Sequence, residues 1–328
     1  MNLIAEPKKK LYINDNYECI DCENKVEPDN ITANKRIRHI VIAGGGTMGF
    51  SYYGILKEAH MNKLWSISNI RTIYGTSVGC IIGTIIALNY EWKTIDDYFI
   101  NRPWEKVFNY DMNTLLLSIR NQGVFGRKII EDIFTPLLLG KNILPSITLL
   151  DFYNQTNIEL HIMVTNVNEF KLVDLSHLTH PSWNLIDAIY ASCSVPVIFQ
   201  PVHYGNITYC DGGIFSNYPV NECIANGAMP CEIIGINGIN NKNNNDENNI
   251  ESNMSEYSLI DYIIFLIGKL FQMFFVVKTI DIGFLFVVNI DMNCLDNITE
   301  VAESKEERAR LIKLGADIFI EQYSGLPD

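Results

Sequence analysis

The chain has 328 residues, 48% of them hydrophobic, and a formal net charge of -13, enough length and apolar material for one α/β domain with decorations. That charge excludes nucleic acid as a partner, which needs clustered Lys and Arg, and it excludes simple electrostatic capture by anionic lipid heads. Any membrane contact would have to be apolar.

In chain order, residues 1–35 read as a polar N-terminal tail. The tail holds no apolar core of signal-peptide length, so a cytoplasmic protein is expected. Its eight cysteines then read as reduced thiols, not a disulfide framework. Cys19 and Cys22 form a lone C-x-x-C without a second pair at metal-ligand spacing, so no metal is expected. From "RIRHIVIA" onward, short β-rich runs alternate with helical stretches, the pattern of a mostly parallel sheet covered on both faces. Strands are expected at 36–43, 69–75, 158–167, 169–175 and 231–237. Helices are expected after Gly49, after Ser77 and around 184–192.

Residues 36–238 therefore form the main domain. Residues 239–256 are Asn-rich and too polar to pack, which predicts a mobile surface loop. Residues 257–328 read as a helical extension packed on that domain, closing with a charged amphipathic helix over 299–323. Within the extension, 259–277 has the length and hydrophobicity of a marginal membrane span, but it contains Asp261 and Lys269. A buried helix and a lid in peripheral contact with a membrane both stay open there.

Chemistry is concentrated in three glycine-rich stretches. The first is "AGGGTMGFSYYGIL" at 43–56, where Gly44, Gly46 and Gly49 match the dinucleotide fingerprint after a strand. That fingerprint needs an acidic residue near the end of the next strand, yet no Asp or Glu lies between Glu58 and Glu91. A phosphate-binding P-loop needs Lys and Ser or Thr after its last glycine, and Phe50 follows Gly49. No cofactor is expected.

The second stretch is Gly75-Thr76-Ser77-Val78-Gly79, a G-x-S-x-G step between a β-rich and a helical run. This is the nucleophile-elbow pattern, in which a strained turn exposes the serine hydroxyl at a helix N-terminus. Such a serine needs a base. His161, His177, His180 and His203 follow it, so a triad such as Ser77 with Asp174 and His203 stays open. The other candidate is Asp211, which ends a β-type run and precedes Gly212 and Gly213 in the third stretch, "ITYCDGGIFSNYPV".

Together these motifs resemble the patatin-like phospholipase family: Gly44-Gly45-Gly46-x-x-Gly49, Gly75-x-Ser77-x-Gly79, and Asp211-Gly212-Gly213. The approach to the aspartate is similar too, with an Ala-Ser-x-x-x-Pro step from Ala191 to Pro196 and Asn-x-Pro from Asn217 to Pro219. The resemblance implies a three-layer α/β/α sandwich with a mostly parallel sheet and a Ser–Asp dyad without histidine. It makes Ser77 the nucleophile, Asp211 the general base, and the amides of Gly44, Gly45 and Gly46 the oxyanion hole, with no metal or cofactor. Gly49, Gly75, Gly79, Gly212 and Gly213 would support those loops. The implied substrates are acyl esters of phospholipids or related lipids, met at a membrane or micelle surface. One departure is Met48, where family members often carry a basic residue. A serine esterase with a histidine triad and a non-catalytic nucleotide- or lipid-binding module remain the alternatives.

Overall fold

In the computed structural model the described residues are 37–109, 118, 120–239, 266, 282–289 and 294–324. The N-terminal tail, the Asn-rich loop beyond residue 239 and the 259–277 stretch apart from Leu266 lie outside them.

The first half runs β1 (His39–Ile42), α1 (Gly49–Met61), β2 (Thr72–Thr76), α2 (Val78–Ala87) and α3 (Trp92–Asn101). It continues through β3 (Gly123–Phe125), α4 (Lys128–Gly140), α5 (Leu149–Thr156), β4 (Glu159–Asn166) and β5 (Lys171–Leu175). Next come α6 (Leu185–Cys193), β6 (Val197–Phe199), β7 (Val202–Tyr204), β8 (Ile207–Asp211) and α7 (Val220–Ala225). The last described elements are β9 (Ile233–Ile239), β10 (Phe284–Asn289), α8 (Cys294–Glu303) and α9 (Lys305–Ser324).

Eight strands form one sheet in the order β10-β9-β1-β2-β4-β8-β7, with β5 paired to β4. The five from β10 to β4 are parallel, while β5 and β8 run antiparallel to β4 and β7 antiparallel to β8. Period-two alternation divides the side chains between two faces. Ile40, Ile42, Ile73, Leu160, Ile162 and Val164 enter the larger core, shared with α1, α2, α4, α6 and α9. Val41, Tyr74 and Met163 enter a smaller core closed by Val220 and Cys223 of α7. Both faces are covered, as a parallel sheet requires. The central α/β fold expected from the sequence is the fold observed.

The C-terminal region differs from its expected form. It is not purely helical: Phe284–Asn289 form β10, which pairs with β9 and completes an edge of the central sheet. The closing helix is also two helices. Ser304 interrupts it, and its hydroxyl accepts the Glu307 N–H at 3.0 Å, a helix N-cap that starts α9. Arg308, 1% exposed, donates to the carbonyls of Val301 and Ala302 at the end of α8 and to that of Ile100 in α3. The guanidinium thus satisfies carbonyls left open at helix ends.

α9 lies across α1 at close range because a glycine on each helix faces the backbone of the other. A methyl built on Gly54 would stand 2.1 Å from the Ile312 carbonyl oxygen, and one on Gly315 would stand 2.0 Å from that of Ser51. The Ser51 hydroxyl donates to the Leu311 carbonyl at 2.9 Å across the same crossing. Alanine normally stabilises a helix by about 1 kcal/mol over glycine. Here Gly315→Ala should instead destabilise by roughly 1–3 kcal/mol through overpacking, read as a lower urea midpoint; a raised midpoint would contradict this crossing.

Candidate active site

Ser77 stands between the end of β2 and the start of α2, with φ 54 and ψ -126. This left-handed backbone is costly for a residue with a Cβ, and packing on both sides sustains it. A methyl on Gly75 would meet the Cys80 amide at 2.7 Å, and one on Gly79 would meet the Ile42 carbonyl oxygen at 2.3 Å. Strand and helix can therefore turn sharply and rest against β1 only because both positions lack a side chain. Gly49 performs the same service for α1, where Val78 occupies the space of its Cβ.

The Ser77 amide donates to the Ser192 hydroxyl at 2.9 Å, and that hydroxyl donates to the Met163 carbonyl at 2.6 Å. The Cys80 thiol donates to the same hydroxyl at 3.2 Å, so the fully buried Ser192 is saturated. Two residues on, the Ser194 carbonyl accepts the Asp211 amide at 3.0 Å. The end of α6 thus braces both residues. Ser192 and Ser194 were not singled out by motif reasoning; their signal was the Ala-Ser-x-x-x-Pro step that contains them.

Asp211 ends β8 and is 2% exposed. Its Oδ1 accepts the Gly213 amide at 2.7 Å, while its buried Oδ2 has no hydrogen-bond partner. Burial pushes the carboxyl up to about 6, against the opposing pull of the Gly213 amide and the Ser77 hydroxyl. The elbow and the aspartate therefore act on each other although no hydrogen bond between them is complete. Gly212 has no room for a Cβ, which would stand 2.3 Å from the Met163 carbonyl oxygen. A Cβ on Gly213 would crowd the Asp211 carboxylate at 2.9 Å. Around the pair, burial drives the Cys80 thiol up to about 12 and that of Cys193 well above its ordinary value, so neither adds charge at neutral pH.

The Gly44–Gly46 loop faces this pair, but its three amides are not equivalent. Gly44 donates its N–H to the Asn217 carbonyl at 3.0 Å, and its carbonyl accepts the Asn217 side chain at 3.2 Å. The Gly44 amide is spent, which corrects its assignment to an oxyanion hole. It is glycine because a Cβ would stand 2.4 Å from Asn217 Oδ1 and 3.2 Å from Ser77 Cβ. Among the described residues no acceptor takes the amides of Gly45 or Gly46, and Gly46 is exposed in the left-handed region at φ 55. Met48 is half-buried and packs on the larger core, so it brings no charge to the loop.

None of the six histidines bonds to Ser77 or Asp211. His161 is buried with Nδ1 2.7 Å from Asp174 Oδ2 and its ring stacked on Tyr74 at 4.0 Å. Asp174 thus pairs with His161 and not with His203, which sits on the β7–β8 hairpin with Nδ1 3.0 Å from Thr208 Oγ1. His177 stacks on Tyr153, and His180 meets the Thr179 hydroxyl. His39 and His60 are held by Thr72 and Trp92. Among the described residues no group of three His, Cys, Asp or Glu side chains could hold a metal ion.

Known proteins resemble this chain in sequence and in fold. The family model described as patatin-like phospholipase matches residues 40–224. An uncharacterized protein of Acanthamoeba polyphaga mimivirus is 30% identical over 193 residues, 56% of this chain and 61% of that protein. A probable lipid hydrolase of Invertebrate iridescent virus 6 is 28% identical over 195 residues, 58% of this chain and 64% of that protein. Triacylglycerol lipase 4 of Saccharomyces cerevisiae is 27% identical over 213 residues, 56% of this chain and 22% of that protein. The matches thus span about three fifths of the viral relatives' lengths. VipD from Legionella pneumophila has a similar fold, with a TM-score of 0.51 at 17% identity over 88% of this chain and 67% of that one. The matched span takes in the glycine loop, the serine elbow and the Asp-Gly-Gly turn, and this chain belongs to the patatin-like phospholipase family.

Proposed function

We propose that the protein is a lipid acyl hydrolase that cleaves carboxylic esters of phospholipids or related acyl lipids through Ser77 and Asp211. The observation that carries this reading is the elbow: a serine held in left-handed backbone opposite a buried carboxylate with one free oxygen. Asp211 Oδ2 takes the proton of Ser77 Oγ as that oxygen attacks the ester carbonyl. The proton then passes to the departing alcohol, leaving an acyl-enzyme. Water gives a proton to Asp211 as it attacks the acyl carbonyl, and collapse of that intermediate returns the proton to Ser77 and frees the fatty acid.

In each half, the carbonyl oxygen becomes negative. The amides of Gly45 and Gly46 are the donors this reading gives it, supplemented by the first turn of α2. A base near pH 6 accepts a proton better than an ordinary surface carboxylate, yet is still ionised at neutral pH. Burial without a charged partner produces that property. The reaction as proposed needs no metal or cofactor. The substrate would be met at a membrane or micelle surface, with 259–277 as a further point of contact.

Ser77→Ala should lower turnover of a short-chain p-nitrophenyl ester by at least about a hundredfold, abolish fluorophosphonate labelling and leave the melting temperature unchanged. Retained turnover in the folded variant would remove Ser77 from the reaction.

For the wild type, kcat/KM should rise with pH through about 6 and level off above it, because the ionised form of Asp211 is the base. Asp211→Asn should lose both the activity and this pH dependence.

Stability should move the other way. A folded pKa of about 6 against an ordinary 3.8 means that the fold holds this proton more tightly than the unfolded chain does. That contribution is complete below the ordinary value and lost as pH rises through about 6, a swing of roughly 3 kcal/mol. Asp211→Asn should therefore be the more stable protein in urea at pH 8, with the difference shrinking toward pH 4. A less stable variant at pH 8 would contradict the buried, unpaired carboxylate.

A further inference from the structure

Beside the Asp211 turn, two aromatic rings face solvent. Phe170, in the β4–β5 turn, is 61% exposed, and Phe215, where the turn after Asp211 ends, is 43% exposed. Their ring centroids are 5.0 Å apart in an edge-to-face arrangement. Val167 opens the same hairpin turn and is exposed as well. Single exposed apolar residues are ordinary, but a cluster of them at one edge marks an interaction surface.

The backbone at Phe170 lies in the left-handed region, and of the eight described non-glycine residues there it is the one phenylalanine. Its φ is 50, a region that suits glycine or asparagine and strains a bulky side chain. Turn chemistry alone would place one of those residues here. The ring is kept despite that cost, and most of it lies in solvent, so core packing does not offset the strain. An outlier of this kind marks a position held for another task.

Topology directs these rings toward the reactive edge. β1, β2 and β4 are parallel, so the glycine loop, Ser77 and the β4–β5 hairpin all leave the sheet at the same end. Thr76 pairs with Met163, and Val167 lies four residues farther along, roughly 13 Å at the rise of a strand. The hairpin tip therefore projects beyond the level of Ser77. Glu169 and Lys171, on either side of Phe170, pair with each other at 2.5 Å, so the tip presents no net charge. A chain of net charge -13 is repelled by an anionic surface, whereas an uncharged aromatic tip suits a zwitterionic one.

We propose that Phe170 and Phe215 form a wedge that inserts into zwitterionic lipid surfaces and presents the Ser77 edge to the acyl lipids there. This surface role rests on the lipid-hydrolase reading, so its test keeps binding and chemistry apart. The full-length protein is titrated with phosphatidylcholine vesicles by co-sedimentation, and turnover of a soluble short-chain ester is measured in parallel. Phe170→Asn should weaken vesicle binding about tenfold, and Phe215→Ser should act in the same direction, the effect expected for losing one buried ring each. Because asparagine suits the backbone at 170, Phe170→Asn should melt at the wild-type temperature or higher, with unchanged soluble-ester turnover. Wild-type vesicle binding by Phe170→Asn would overturn the proposal. So would a wild-type dimer that Phe170→Asn converts to monomer without changing lipid binding, since the rings would then serve a second copy of the chain. Absence of soluble-ester turnover in wild-type protein would instead count against the hydrolase reading, leaving the binding result to decide the wedge.

Discussion

The left-handed backbone of Ser77 is the constraint on which the rest of the site depends. A residue there is strained unless strand and helix are pressed together from both sides, and Gly75 and Gly79 permit that by exposing bare backbone to Cys80 and Ile42. The strain then has to be held. Ser192 holds it with a buried hydroxyl that accepts the Ser77 amide and anchors to the Met163 carbonyl. Met163 belongs to β4, whose far end pairs with β8 and so fixes Asp211. One short network thus relates the serine to the carboxylate without a direct bond between them.

The environment of Asp211 follows from the same packing. Gly212 lies so close to β4 that no side chain fits, which draws the turn inward and removes the carboxylate from water. Desolvation then makes the group a better proton acceptor. The histidines play no part in this. His161 is buried and bonds to the half-buried Asp174 against Tyr74, within the face of the sheet closed by α7, away from Ser77 and Asp211.

Where a residue type has one dominant physical use, the sequence was readable. The G-x-S-x-G step placed an elbow between a strand and a helix, and β1, β2, β4, β5 and β9 lie within a few residues of their expected positions. Three of the features that escaped have physical reasons that can be named. β10 is a short apolar run in a long apolar region, where periodicity cannot separate strand from helix. The break at Ser304 was signalled by Ser-x-x-Glu but sat inside a continuous amphipathic pattern. The use of the Gly44 amide depends on Asn217, 173 positions away, and no local pattern announces a hydrogen bond that exists only once two loops meet.

The return of the chain to the sheet through β10 and α9 has a consequence for biosynthesis. β9 gains its outer neighbour, and α1 its covering helix, only from residues 284–324. Domains usually fold as units while the N-terminal part leaves the ribosome first. Here the emerging half must wait with a bare strand edge and an uncovered helix face, although all three glycine-rich motifs have already been made. Such surfaces are those that nascent chains aggregate through, and between translating Asp211 and translating α9 the chain has both of them without the elements that cover them.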